Sequence, residues 1–163
     1  MKKLYIIRHA KAEDYKLAPT DYNRQLINKG IVRAQHIARL LVEELSPNTS
    51  IKFLSSSAKR ALQTAEIFAD ILNYEPAKIK QTKHIYEAHY RDILQEINKI
   101  EDDIDELFVF GHNPGLSHLI SYLTDQNIYL RTSYVAQVTL EKDILFSELT
   151  SGIATLNHVF TDK

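Results

Sequence analysis

Short apolar segments alternate along this chain with longer segments in which apolar residues recur every three or four positions. Two of the short segments, Leu4–Ile7 and Leu107–Phe110, are apolar at every position, which is typical of strands covered on both faces. The longer segments have the spacing of amphipathic helices. Because parallel strands need a crossover between them, usually a helix, the alternation predicts the α/β class. We expect a three-layer α/β/α sandwich with a mostly parallel central sheet.

The individual elements follow from these patterns. We predict six strands, over residues 3–8, 51–54, 79–81, 107–110, 134–140 and 153–160. We predict four helices, over residues 26–45, 58–72, 91–100 and 114–123, with Ser55–Ser57 supplying caps for the second. The chain has 163 residues and no repeat, low-complexity segment or obvious linker, so we expect one domain spanning residues 1–163.

Composition excludes several classes of site and partner. The chain has no cysteine, so it has neither disulfides nor thiolate metal sites. Its formal net charge is −1, which provides no long-range attraction to nucleic acid or to an anionic membrane. No apolar run approaches the ~20 residues that a membrane-spanning helix needs. The apolar stretch after Met1 ends at Arg8, too soon for a signal peptide, so we expect a cytoplasmic protein whose N-terminus forms the first strand.

Polar residues of an unusual kind follow three of the predicted strands. The first strand ends in Arg8-His9, the second runs into the helix that carries Arg60, and the fourth is followed by Gly111-His112. In an open α/β sheet, ligands bind beyond the carboxyl ends of the strands. A lone histidine at a strand end is usually structural, but two histidines and two arginines at one edge predict a site for an anion.

Phosphate suits these residues best. Arg60 lies in the first turn of its helix, where the macrodipole disfavours a cation by about 0.3–1 kcal/mol, so a salt bridge or a bound anion is expected beside it. Pro114 is expected at the first position of the helix after His112, and free N–H groups at such a helix start bind phosphate. The guanidinium fork of arginine matches phosphate oxygens in a bidentate way.

Three segments together resemble a known family. Arg8–Ala10, Ser56–Ala65 and Gly111–Gly115, in this order and spacing, resemble the histidine phosphatase superfamily, whose fold is that of the phosphoglycerate mutases. The likeness is greatest to its small bacterial branch, the SixA-like phosphohistidine phosphatases, which carry a motif similar to Ile85–Ala88. The resemblance extends from the first residues to about Leu119, and it implies the same fold and a phosphatase activity.

The resemblance also implies residue roles. His9 would attack phosphorus and become a transient phosphohistidine, while Arg8, Arg60 and His112 would bind the phosphoryl oxygens. No metal and no cofactor is implied, because the arginines supply the positive charge. The superfamily usually has glycine where this chain has Ala10, a replacement that is costly only at a positive φ.

Three further residues are candidates on the same basis. Glu87 matches the acid that protonates the leaving group in the wider superfamily, although a surface or structural duty is an equal alternative. Asp21 and Arg24 resemble an Asp-x-x-Arg pattern of the SixA-like branch, in which Arg24 either lines the rim of the pocket or pairs with Asp21. Asn113, beside His112, is a candidate for substrate binding.

The expected substrate is a phosphohistidine protein or another, smaller phosphorylated compound. A small-molecule phosphomonoesterase or mutase of the same superfamily remains an alternative, although the chain has little length to spare for a lid. A phosphate-binding module without turnover is a second alternative. A metal-dependent hydrolase that uses His9 and His112 lacks the clustered carboxylates and spaced histidines that such sites need.

Overall fold

Six strands and four α-helices make up the regular structure of the computed structural model, which describes residues 1–163. The strands are β1 (Lys3–Arg8), β2 (Ile51–Ser56), β3 (Lys80–Thr82), β4 (Glu106–Gly111), β5 (Val135–Leu140) and β6 (Ala154–Phe160). The helices are α1 (Asn28–Leu40), α2 (Lys59–Ile71), α3 (Tyr90–Ile97) and α4 (Gly115–Thr124).

All six strands belong to one sheet, in the order β3-β2-β4-β1-β5-β6. The pairs β3–β2, β2–β4 and β4–β1 are parallel, whereas β5 is antiparallel to both β1 and β6. The predicted mostly parallel sheet is therefore confirmed. The carboxyl ends of β2, β4 and β1 lie side by side at one edge, and Arg8 is paired with Gly111 there.

Alternation of side chains along the central strands divides the core into two halves. Leu4 and Ile6 of β1 point to the face covered by α3 and α4, whereas Tyr5 and Ile7 point to the face covered by α1 and α2. The second face is the more aromatic one, with the rings of Tyr5 and Phe108 stacked 4.3 Å apart. Helices on both faces of one sheet confirm the predicted three-layer sandwich.

The first helix is shorter than predicted, because α1 ends at Leu40 rather than at residue 45. The backbone N–H groups of Leu41 and Val42 donate to carbonyls three residues earlier, which tightens the last turn and ends the α-helix. Leu41 and Leu45 still pack into the core, so the spacing of apolar residues continues beyond the end of the helix.

The predicted cap of α2 is wrong in its details. Ala58 occupies the N-cap position and provides no side-chain hydrogen bond. The Ser56 hydroxyl instead accepts a bond from the Ala58 N–H at 3.2 Å, before the helix begins. Ser55 and Ser57 bond elsewhere, to the Ser56 carbonyl and to Tyr22.

None of the helices combines the length and the apolar character that crossing a membrane would require.

Gly30 lets α1 approach the segment that follows β1. A Cβ atom at this position would be much closer to the Lys11 carbonyl oxygen than van der Waals contact allows. Lys11 lies two residues beyond His9. That carbonyl also accepts a hydrogen bond of 3.1 Å from the Ile27 N–H, so it cannot move freely.

We expect Gly30→Ala to lower the free energy of unfolding by about 1–3 kcal/mol, because the backbone clash outweighs the gain of about 1 kcal/mol that alanine brings within a helix. Urea denaturation measures the change. Lys29→Ala, at the exposed neighbouring position, is the matched control and should leave the stability nearly unaltered. A stabilised Gly30→Ala protein would show that α1 has room to move away.

Candidate active site

His9 lies directly after β1 and is only 8% exposed. Its Nδ1 is 2.7 Å from the Ala10 carbonyl oxygen, and since a carbonyl only accepts, the proton of the neutral ring is on Nδ1. The Nε2 atom therefore carries a lone pair, which accepts a bond of 3.3 Å from Arg60 Nε. Backbone geometry thus decides which nitrogen of His9 carries the lone pair.

His9 is neutral at physiological pH. Burial, followed by the positive charges of Arg60, Arg8 and Arg24, lowers the pKa of His9 to about 3. Burial is the larger cause of this shift, and the arginines add to it.

His112 follows β4 and is also buried, with its ring centroid 5.3 Å from that of His9. Its Nε2 is 2.8 Å from the Ser56 hydroxyl, which already accepts from the Ala58 N–H. The Ser56 hydroxyl accepts from Ala58 and uses its own proton to donate to His112 Nε2. The Nε2 atom is then an acceptor, so the proton of the neutral His112 ring is on Nδ1. This Nδ1 is buried and has no partner in the protein, and burial together with the nearby His9 and Arg60 lowers the pKa of His112 to about 3.

Arg60 has the salt bridge that its position at the start of α2 demands. The side chain is buried, 3% exposed, and its Nη2 is 3.0 Å from the Asp21 carboxylate. Its Nη1 donates to the Asp21 carbonyl at 2.7 Å, while Nε points to His9. Three of the five guanidinium N–H groups are engaged, which leaves two for a ligand.

Asp21 connects Arg60 with two other side chains. Arg24 donates to its carboxylate at 2.9 Å, and the Tyr86 hydroxyl donates at 2.6 Å. Partial burial alone would raise the pKa of Asp21, but these hydrogen bonds and the charge of Arg60 hold that pKa well below its usual range. The expected pairing of Arg24 with Asp21 is present, and its charge also acts on His9.

Arg8 approaches the site from the other side of His9. Its Nη1 donates to the Tyr129 hydroxyl at 3.1 Å and to the Leu130 carbonyl at 3.3 Å. Its Nε is buried and has no partner in the protein. Arg8 Nε and His112 Nδ1 are thus two buried nitrogens that an anion could satisfy.

The start of α4 is not the open anion site that the sequence suggested. The helix begins at Gly115, with Pro114 as its N-cap residue. The Leu116 N–H donates to the His112 carbonyl, and the Ser117 N–H donates to the Asn113 side chain at 3.1 Å. Residues just before the helix therefore accept from two of the N–H groups that phosphate was expected to use.

Asn113 is engaged mainly with the protein itself. Its carbonyl oxygen accepts from both the N–H and the hydroxyl of Ser117, and its amide donates to the Leu130 carbonyl at 2.6 Å. One amide N–H remains for a ligand, so substrate binding by Asn113 stays a prediction.

Glu87 stands apart from the buried network. Its side chain is exposed, and it makes no hydrogen bond and no ion pair. Its backbone has a φ of 47°, in the left-handed region, between Tyr86, whose ring meets that of His112, and Ala88. Glu87 is therefore on the loop that borders the site, and its catalytic role stays a prediction.

Ala10 fits its position without strain. It does not adopt a positive φ, it is fully buried, and its N–H donates to the Thr64 hydroxyl at 2.9 Å. The methyl group packs among the residues of the α1–α2 face.

Sequence reasoning missed the residues that hold the candidate groups in place. Ser56 orients His112, Tyr86 holds Asp21, and Tyr129 contacts Arg8. Ser56 and Tyr86 lie inside the recognised motifs, where their hydroxyl groups were a usable signal. Tyr129 lies outside all of them, and only the fold brings it near Arg8.

No cluster of three or more histidine, aspartate or glutamate side chains is arranged to hold a metal ion. The positive charge at this edge of the sheet comes from Arg8, Arg24 and Arg60, with Asp21 as the single carboxylate bonded among them. The arrangement therefore combines a neutral imidazole, whose Nε2 carries a lone pair, with several donors that could bind a tetrahedral oxyanion.

Comparison with known families agrees with this geometry. The chain matches a family model described as the histidine phosphatase superfamily (branch 1) over residues 4–124. No curated protein matches the sequence of this chain.

Solved structures share the fold over nearly the whole chain. The protein histidine phosphatase SixA complexed with tungstate matches with a TM-score of 0.79 at 22% identity, covering 98% of this chain and 97% of that one. A putative SixA from Nakamurella multipartitia matches with a TM-score of 0.81 at 20% identity, covering 97% and 94%. A putative SixA from Agrobacterium tumefaciens gives 0.78 at 22% identity, covering 97% and 96%.

We expect Asp21→Asn to lower the free energy of unfolding at pH 7 by about 1–3 kcal/mol, because it leaves the buried Arg60 without a counter-charge. The folded-state pKa of Asp21 is depressed, so its contribution is present above the unfolded-chain pKa of about 3.9 and is lost as the pH falls towards the folded value. The deficit of the variant should therefore shrink below about pH 4.

Urea unfolding at pH 7 and at pH 3.5 or below, in the same buffer ions, measures both effects. Glu75→Gln is the matched control, because it removes the carboxylate of an exposed pair with Lys78 and should cost less than about 0.5 kcal/mol. An Asp21→Asn deficit that is the same at both pH values would contradict the electrostatic explanation.

Proposed function

This chain belongs to the histidine phosphatase superfamily, and from that premise we propose that it is a metal-independent phosphatase that hydrolyses phosphohistidine through a covalent intermediate on His9. The observation that supports the proposal most directly is the state of His9. Its proton is held on Nδ1 by the Ala10 carbonyl, so the lone pair is on Nε2 among the arginines.

A histidine can attack phosphorus only when it is neutral. With a pKa of about 3, His9 needs no general base to remove a proton near pH 7. The ring is also held in one orientation by the bond from Nδ1 to the Ala10 carbonyl, which favours an in-line approach of Nε2 to phosphorus.

The donors around His9 suit the charge on a transferring phosphoryl group. Phosphoryl transfer depends mainly on positioning and on electrostatic stabilisation of the equatorial oxygens. Arg8 Nε and His112 Nδ1 have no partner in the protein, and Arg60 has two free N–H groups, so all three can bind those oxygens. Losing one such donor typically slows a reaction by about 10²–10³-fold.

The reaction has two steps. In the first, the His9 Nε2 lone pair forms a bond to phosphorus, the bond from phosphorus to the substrate nitrogen breaks, and the leaving imidazole keeps that electron pair and takes up a proton. In the second, a water oxygen attacks the phosphorus, the bond to Nε2 breaks, and the water gives up a proton. Inorganic phosphate leaves, and His9 returns to its neutral form.

The similarity to SixA favours a phosphohistidine protein as the substrate. All three solved structures compared above are named SixA, as a protein histidine phosphatase or as putative phosphohistidine phosphatases. Tungstate, bound in one of them, is a tetrahedral oxyanion like phosphate. The cytoplasmic location expected from the sequence stays a prediction.

A small-molecule phosphomonoesterase is the second candidate, and one observation favours it. Glu87 is an exposed, unpaired acid on the loop that borders the site, where it is free to protonate an alkoxide leaving group. An imidazole leaves more readily than an alkoxide, so a phosphohistidine phosphatase has less need of this acid.

We expect His9→Ala to reduce phosphate release by on the order of 10³-fold or more, because it removes the nucleophile. The assay follows phosphate release in EDTA-treated, metal-free buffer from a phosphohistidine peptide and from p-nitrophenyl phosphate. Quenched wild-type enzyme should carry an acid-labile, alkali-stable phosphoryl group, which the variant lacks.

His118→Ala is the matched control, because His118 is an exposed histidine on α4 and should be dispensable. Normal turnover by His9→Ala would sink the covalent mechanism. A wild-type protein that binds phosphate but releases it from neither substrate would instead be a phosphate-binding module.

We expect Glu87→Gln to separate the two substrate classes. Hydrolysis of an alkyl phosphate such as β-glycerophosphate should fall by about 10²-fold or more, the usual contribution of a general acid, while phosphohistidine hydrolysis should change little. Glu75→Gln is the control, because Glu75 is an exposed carboxylate before β3 and so lies at the amino ends of the parallel strands. Equal losses on both substrates would mean that Glu87 acts on the structure of the loop and not on the leaving group.

A further inference from the structure

A cationic groove borders the site on the side of Arg8. It is a cavity of about 600 Å³ that is lined in part by Asp162 and Lys163, and whose walls include four further cationic side chains from separate parts of the fold. They are Arg8 at the end of β1, Lys11 just beyond His9, Arg33 on α1 and Arg131 in the loop before β5. We use the term cationic groove for these four residues with Tyr129, which lies at its edge.

Three of these cations, Arg8 among them, have no counter-charge in the protein, and two of the three are exposed. Arg33 is paired with Asp162 at 3.1 Å, but Lys11 and Arg131 are exposed and take part in no ion pair. Their side chains also make no hydrogen bond. Cations that repel one another around a cavity favour an anionic occupant.

The groove does not reflect the overall charge of the chain, which is −1. The acidic stretch 101–106 leads into β4 and so lies at the amino ends of the parallel strands. The groove lies at the opposite edge, where β1 and β4 end. The acidic stretch is thus far from the groove, and two of its carboxylates are paired with Lys3 and Lys52.

The groove and the phosphate site share Arg8. On one side, its Nε is buried beside His9 and free of protein partners. On the other, its Nη1 donates to Tyr129, whose ring is 68% exposed and 5.6 Å from the guanidinium carbon. The loop with Tyr129 and Arg131 is tied to the site, because the Ser133 N–H donates to the carbonyls of Arg8 and His9.

We propose that the cationic groove binds a carboxylate-rich segment of a phosphorylated protein while the phosphohistidine of that protein occupies the site. This inference rests on the proposed function, because it names the kind of surface that surrounds the phosphohistidine. The proposed partner must present several carboxylates spread over a surface, because the unpaired cations of the groove come from different elements of the fold.

A second phosphate on a small substrate fits the groove less well. Such a group would call for buried donors that converge on it, as around His9, where two buried nitrogens lack partners. In the groove two of the three unpaired cations are exposed, long and flexible, which suits a chain of carboxylates held by charge and by little else.

Two phosphohistidine peptides of equal length test the proposal, one with glutamates and one with glutamines flanking the histidine. We expect wild-type kcat/KM to be about tenfold higher for the glutamate peptide at low ionic strength, mainly through association. This preference should shrink when the ionic strength is raised from about 20 mM to about 300 mM, because the Debye length falls.

The variants Lys11→Glu and Arg131→Glu should each bring the ratio of the two kcat/KM values to about one or below. Lys142→Glu is the matched control, with the same change of charge at an exposed residue just after β5. Because β5 is antiparallel to β1, Lys142 lies at the opposite edge of the sheet, and its variant should keep the preference. An effect of a variant on folding or on the chemical step changes both kcat/KM values equally, so it leaves their ratio unaltered.

Binding of the unphosphorylated glutamate peptide, measured by fluorescence anisotropy, is independent of turnover. If neither phosphopeptide is hydrolysed, the proposed function fails, yet weaker peptide binding by Lys11→Glu and Arg131→Glu than by Lys142→Glu still supports the groove. Equal kcat/KM for both peptides with the wild type, or equal losses in all three variants, overturns the proposal.

Discussion

Arg8 is paired with Gly111 in the parallel ladder between β1 and β4, and the arrangement of the site depends on this register. Because both strands run in the same direction and end together, the residues that follow them, His9 and His112, emerge side by side. The pairing of β2 with the other side of β4 adds Ser56 and, in the first turn of α2, Arg60. A one-residue slip would turn Leu4 and Ile6 towards the other half of the core and would separate the two histidines.

Burial then determines the charge state of these groups. The two histidines remain neutral because they are buried and lie beside arginines, which lowers the pKa of each to about 3. The buried Arg60 has its charge compensated by Asp21, which supplies a carboxylate and a carbonyl. A neutral nucleophile beside a compensated cation suits attack on a phosphoryl group, since the attacking atom needs a lone pair and the oxygens need donors.

Arg8 connects this chemistry with the surface. Its guanidinium has one buried nitrogen without a partner and another that donates to the exposed Tyr129, so it belongs both to the candidate site and to the cationic groove. An anionic partner held in the groove would therefore contact an arginine that is also proposed to bind the phosphoryl oxygens. Recognition of the partner and stabilisation of the reaction would then share one side chain.

The sequence by itself determined the fold class and most of the elements, and it identified candidate site residues that the fold brings together. Apolar strands such as Leu4–Ile7 require cover on both faces, and the residues at their carboxyl ends must meet at one edge. Tertiary structure decided what local patterns do not encode. In the folded chain α1 ends at Leu40, and N–H groups at the start of α4 donate to residues that precede the helix. Tyr129 contacts Arg8 although 121 positions separate the two residues in the sequence. The reason is physical: periodicity and strand ends depend on neighbours in sequence, whereas hydrogen-bond partners, burial and pKa depend on neighbours in space.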